Sequence, residues 1–172
     1  MILDITTVTL VHTVISIVAI AAGLVVVRGL IAGVRIDGCT GIFLVTTALT
    51  SVTGFFFPFT KLLASHWVGV ISLIILPFVI AARYWKHLRG AWRGIYVVGT
   101  VLVLYLNFFI LNVQLFRRIS ALIVAAPKQT EPPFVLTQLL VLALFAWLGF
   151  AAFRRFRPQA VGTAEQSAPV AA

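Results

Sequence analysis

The sequence predicts an all-α integral membrane bundle of about five transmembrane helices, and three observations lead there. Of 172 residues, 62% are hydrophobic and only 10% are charged, against roughly 25% charged in an ordinary soluble domain. A water-soluble fold of this size has no interior large enough for so much apolar surface, whereas lipid covers it. The apolar residues also fall into runs of roughly the 20 residues needed to cross a bilayer, and the cations gather at the ends of those runs.

The first run covers residues 5–27, with helix continuing toward Val34, and Asp4 is its expected N-cap. The chain begins Met-Ile-Leu-Asp with no positive n-region, so this run is expected to be kept as a helix rather than cleaved. The second run, 41–57, is stopped by Pro58. The third, 65–84, has Ser65 as its expected cap and Pro77 inside it as an expected kink. The fourth covers 94–116 and the fifth 134–153. Between them, residues 119–126 are apolar but too short to span. They either extend the fourth helix or lie in the interface. Residues 128–133, KQTEPP, read as a turn. The chain is thus one transmembrane domain, 1–157, followed by a disordered cytoplasmic tail, 158–172, without periodicity.

Orientation follows from the cations. With the N-terminus outside, the inner segments hold Arg28, Arg35, Arg83, Lys86, Arg89, Arg93, Arg154, Arg155 and Arg157. The outer ones hold only Lys61, Arg117, Arg118 and Lys128. Positive loops stay in the cytoplasm, so N-out and C-in is predicted. Trp67 then lies at the outer boundary and Trp85 and Trp92 at the inner one, where indoles anchor.

The net charge of +9 does not signal nucleic acid, because no basic stripe with interleaved aromatics is present. The expected partners are membrane lipids and either a second copy of the chain or a larger membrane complex. Cys39 is the single cysteine, which excludes an intrachain disulfide and a cysteine-rich metal site.

Polar side chains in lipid need partners, so they should turn inward. At 100° per residue, Tyr96, Thr100, Asn107 and Gln114 share one stripe of the fourth helix. Thr9, His12, Ser16, Ala19 and Gly23 share one on the first. The second helix offers Thr46, Thr50 and Thr53 on one face and Thr47, Ser51 and Gly54 on the next. In the N-out orientation His12, Ser16, Thr50, Ser51, Thr53, Asn107, Gln114 and Gln138 fall in the outer half, and the inner half reads as mostly aliphatic. A ligand site, if the chain has one, is therefore predicted among His12, Ser16, Thr50, His66, Asn107, Gln114 and Gln138. Gly29 and Gly33 have the spacing that lets helices approach closely, and are the expected helix-packing residues.

Catalysis is poorly provided for. The four acids, Asp4, Asp37, Glu131 and Glu165, fall outside the predicted spans. No phosphate-binding glycine loop, His-Glu-x-x-His or Gly-x-Ser-x-Gly pattern occurs. No enzyme, no catalytic residue, no cofactor and no bound metal is expected. The exception considered is haem or quinone on His12 and His66, both on the outer side. Their depths differ, since His12 lies about 10 Å into its helix at 1.5 Å per residue and His66 starts its own.

Four stretches carry a resemblance: 46–59 (TTALTSVTGFFFPF), 65–76 (SHWVGVISLIIL), 105–118 (YLNFFILNVQLFRR) and 127–134 (PKQTEPPF). Together they resemble a group of small, uncharacterised proteobacterial inner-membrane proteins, over roughly residues 10–155. The resemblance implies a bacterial inner-membrane location and no activity. The plan is also similar to haem-binding bundles of the cytochrome b561 type, which pair histidines at both membrane faces. This chain has no second pair. The functional expectation is a structural or accessory subunit that oligomerises or joins a larger complex. The alternatives are a transporter or binder of a small neutral or amphipathic molecule, and the haem or quinone protein.

Overall fold

The structure is a computed structural model that describes residues 5–56 and 64–157. The expected Asp4 cap, the Pro58 stop and the 158–172 tail lie outside those residues. All regular structure within them is helical: α1 (Ile5–Ala32), α2 (Asp37–Thr53), α3 (Ala64–Ile80), α4 (Ala91–Arg118), α5 (Ser120–Ala125) and α6 (Pro132–Arg155). A 3-10 turn (Gly54–Phe56) prolongs α2, and a π-turn (Ala81–Trp85) prolongs α3.

Among the described residues, four helical segments are long and apolar enough to cross a membrane: Thr7–Ala32, Ser65–Trp85, Ala91–Arg118 and Pro132–Arg155. The second helix is shorter, at 17 residues. With its 3-10 turn it extends about 31 Å, close to the ~30 Å hydrocarbon core. The chain is a multi-pass membrane bundle, and the predicted fold class holds.

The second and third helices start earlier than expected. The second helix starts at Asp37, whose carboxylate suits the positive end of the helix dipole. Ser65 lies inside α3, not before it. Pro77 is accommodated within α3, and the ladder widens to π spacing one turn later, with Lys86 N–H donating to Ala81 O at 2.9 Å. Residues 119–126 do not extend α4. Ile119 is extended (φ −91, ψ 117), and α5 turns away with Val124 83% exposed beside Arg117 and Arg118. An apolar side flanked by cations suits an interfacial segment.

Helix α4 is central and packs on α1, α3 and α6, while α2 stands between α1 and α3. The core joins Val26, Val27 and Leu30 of α1, Phe43 of α2, Val79 of α3, and Val97, Val103 and Leu104 of α4. Two glycines make the close approaches. A Cβ on Gly23 would stand 2.5 Å from Leu104 Cδ1, and one on Gly99 would stand 2.5 Å from Val79 Cγ2. The outward faces stay apolar, as in Leu140 and Phe150 of α6, and lipid is the medium that accepts them.

Gly29 and Gly33 serve the end of α1 itself. Gly33 has φ +74 and its N–H reaches Leu30 O at 3.2 Å, while Val34 N–H reaches Gly29 O at 2.9 Å. This is a Schellman cap, which needs a left-handed residue at that point. The space above Gly29 is filled by Ile36, whose Cδ1 lies 2.7 Å from where a Cβ would stand. Gly33 also lies close to α6, with Arg155 O 3.6 Å from where a Cβ would stand.

Candidate functional site

The outer and inner ends of the bundle are named by the orientation that the cations predict. Of the predicted site residues, the outer half brings several to helix interfaces. His12 on α1 meets α2, with Nδ1 2.8 Å from Thr53 Oγ1. Ser16 bonds back to His12 O at 2.7 Å, as intramembrane serines commonly do. Asn107 on α4 donates from Nδ2 to Thr47 Oγ1 of α2 at 3.4 Å. Gln138 on α6 donates from Nε2 to Phe109 O of α4 at 3.3 Å. Thr50 is half-buried on α2, and its Oγ1 has no hydrogen-bond partner among the described residues. These groups tie α1 to α2, α2 to α4 and α4 to α6, one contact at a time, and do not converge on a single point.

His66 is buried at the start of α3, with its ring 6.0 Å from that of Phe55. His12 thus meets the last turn of α2 at Thr53, and His66 meets the 3-10 turn that follows it at Phe55. No group of three or more His, Cys, Asp or Glu suited to a metal ion occurs among the described residues.

Gln114 departs from its expected stripe. It is exposed, and Asn112 is the buried amide at that level, donating from Nδ2 to Thr137 Oγ1 of α6 at 3.2 Å. The two residues sit about 160° apart on the helix. The stripe of Tyr96, Thr100 and Asn107 faces α1 and α2 along most of α4. At the outer end α4 turns its other side, with Val113 and Phe116, toward α6 and the α5 loop. Gln129 donates to Val113 O at 3.0 Å, and Phe116 meets Phe134 ring to edge at 5.3 Å.

The inner half is not merely aliphatic. Arg83, counted from the sequence among the inner cations at the end of the third run, is 3% exposed. Its Nη1 donates to Tyr96 Oη at 3.0 Å and its Nη2 pairs with Asp37 Oδ1. Tyr96 Oη lies 3.5 Å from Thr40 Oγ1, and its ring packs 6.0 Å from that of Phe156. Arg35 reaches the same carboxylate at 3.7 Å. Arg83 continues the buried face of α3 that carries Ser72, Leu76 and Val79, while Tyr84 and Trp85 stay exposed. Spacing at about 100° per residue puts it on that face, but its charge marks it in the sequence only as a cation of the inner end. Arg93 closes the same end of the bundle, donating from Nη1 to Phe153 O at 2.9 Å and to Phe156 O at 2.5 Å. These are end carbonyls of α6 that have no partner within the helix.

Chemically the arrangement can hold helices in register at both ends. No protein-family model matches the chain, and no curated protein or solved structure matches it.

Proposed function

We propose that this chain is a non-enzymatic accessory or structural subunit of a bacterial inner membrane, oriented N-out and C-in, that oligomerises or joins a larger membrane complex. The use of its polar side chains is the observation that carries this reading. His12, Asn107, Asn112 and Gln138 each bond to a neighbouring helix, and Arg83 is held between Asp37 and Tyr96. Intramembrane polar groups used in this way supply rigidity and register. A rigid bundle with wide apolar faces suits a part that other membrane helices pack against. The bacterial inner membrane rests on the resemblance of the four stretches, and the orientation on the excess of cations at the inner end.

Chemical crosslinking in membranes, followed by purification in mild detergent, tests the reading. A stable oligomer or a recovered partner is the expected result. A clean monomer at all concentrations, with no crosslinked partner, would remove its basis. Orientation is tested separately with a C-terminal reporter active only in the periplasm, and strong activity would reverse the assignment.

A second reading, binding or passage of a small neutral or amphipathic molecule in the outer half, is favoured by two buried acceptors. Thr50 Oγ1 and Gln138 Oε1 have no hydrogen-bond partner among the described residues, and buried polar atoms usually find one. Cysteines placed at Asn107 and Ser51 should then react with a polar thiol reagent added outside. Full protection at both positions leaves that reading without support.

A further inference from the structure

At the inner end, a groove of about 660 Å³ opens on the surface of α4 between α3 and α6. Its floor is made by residues too small to fill it, Ala91 and Gly94, and is continued toward the membrane centre by Ile95 and Val98. Phe78 of α3 and Phe153 of α6 form the walls. The surface is apolar almost throughout, and from Ala91 to Val98 it runs about 10 Å at 1.5 Å per residue. At its mouth, Arg93, Arg154 and Arg157 surround Phe153 in an adjoining depression of about 500 Å³.

Among the described residues the three arginines have no acidic partner. Both ion pairs among the described residues go to Asp37, from Arg35 and Arg83. Arg93 is fixed in place by its bonds to the α6 carbonyls and by the Phe153 ring, 4.9 Å from its guanidinium carbon. Arg154 and Arg157 are exposed. A fixed cation, two exposed ones and an adjoining apolar trough at the membrane boundary form one continuous surface.

We infer that this surface is a binding site for an anionic glycerophospholipid of the inner leaflet. An acyl chain lies along Gly94, Ile95 and Val98, and the phosphate is received by Arg93, Arg154 and Arg157. Basic pockets between transmembrane helices on the cytoplasmic side bind anionic headgroups in this way. A free anion makes no use of the trough. A zwitterionic lipid brings an ammonium group to three unneutralised cations, so net negative charge decides the occupant. The site itself needs only the membrane bundle, its placement in the inner leaflet rests on the proposed orientation, and neither depends on the accessory role.

The test uses the full chain in mild detergent, supplied with equal amounts of dioleoylphosphatidylglycerol and dioleoylphosphatidylcholine, with bound lipid read by native mass spectrometry. Phosphatidylglycerol should be retained preferentially. The Arg154→Gln/Arg157→Gln pair should weaken its retention about tenfold or more, since each surface cation is worth about fivefold. Val98→Trp should also weaken it, by filling the trough while keeping every charge. Arg117→Gln/Arg118→Gln at the other end, and Leu139→Trp elsewhere on α6, should leave retention unchanged. Equal retention of both lipids would overturn the site. So would equal loss from the Arg117/Arg118 pair, indifference to Val98→Trp, or displacement of the lipid by inorganic phosphate.

Discussion

Arg83 of α3 and Tyr96 of α4 face each other across 3.0 Å, guanidinium to phenol oxygen, with Asp37 of α2 on the guanidinium's other side. One buried cation thereby joins three helices at the end of the bundle where loops would otherwise leave them loosely held. Asp37 itself is largely exposed, so the carboxylate keeps part of its hydration while neutralising the arginine. That arrangement avoids much of the desolvation cost of a fully buried pair.

Removing the carboxylate should therefore cost more than removing both charges. Asp37→Asn leaves Arg83 buried without its counter-ion and should lower stability by about 2 kcal/mol, less than the roughly 3–5 kcal/mol for a fully buried pair. Adding Arg83→Met removes the charge that needs a partner, and the double variant should recover part of the loss. Denaturant unfolding in mild detergent measures both. A double variant as unstable as the sum of the singles would show that the residues do not act as a pair.

The amides of α4 should separate by facing. Asn107→Leu breaks the contact with Thr47 and should cost about 1 kcal/mol or be neutral, as interhelical hydrogen bonds in membranes do. Asn112→Leu should cost at least as much, because it leaves the α6 hydroxyl of Thr137 with only its own helix carbonyls. Gln114→Leu should be neutral or stabilising, since that side chain is exposed. Thermal unfolding of the three variants checks the order, and a Gln114 effect larger than that of Asn112 would contradict the packing of α6 on α4.

Three glycines should respond differently to alanine. Gly23→Ala pushes a methyl group into Leu104 and Phe43 and should cost about 1–3 kcal/mol, as overpacking does. Gly33→Ala forces an L-residue to φ +74 and should cost about 1–2 kcal/mol. Gly41 has open space around it, so Gly41→Ala should be neutral or slightly stabilising because alanine favours helix. Unfolding midpoints decide. If Gly33→Ala changed the oligomeric state while leaving unfolding untouched, its role as a helix cap would be wrong.

The turn before α6 should be acid-sensitive. The Glu131 carboxylate accepts the N–H groups of Lys128 at 3.1 Å and Thr130 at 3.0 Å. Local desolvation pushes its pKa up, but these backbone donors and the Lys128 charge outweigh it and hold the group below the ordinary glutamate value. A carboxylate with a depressed folded pKa stabilises above its unfolded pKa, and that contribution is lost as pH falls through the folded value. The Lys128 and Thr130 amide resonances should titrate together, with a midpoint below that of ordinary glutamate. Glu131→Gln should abolish the transition. A midpoint at or above the ordinary value would mean that the carboxylate does not hold the turn.

The long apolar segments could be read from composition alone, and so could the inward stripe of α1, where Ala19 and Gly23 are buried as its periodicity requires. The Tyr96–Asn107 part of the α4 stripe was legible for the same reason. Gln114 was not, because the face that α4 buries changes along its length as α6 and the α5 loop replace α1 and α2. Arg83 shares the face of Ser72, Leu76 and Val79, but its charge reads in the sequence only as a marker of the inner end. The cap that Gly29 and Gly33 form at the end of α1 was not legible, because spacing does not say whether a helix continues or ends.

What the sequence by itself determined is therefore everything that depends on a residue and the solvent around it: apolar runs of membrane length, cations at their ends, and helix wherever lipid leaves the backbone no other partner. Tertiary structure alone decided which polar atoms meet. Asn107 with Thr47, Asn112 with Thr137, and Arg83 with Asp37 and Tyr96 are choices made by the rotation and pitch of packed helices. A hydrogen bond acts over about 3 Å, while an error of one residue in register turns a side chain by 100°, so those choices exist only once the helices have packed.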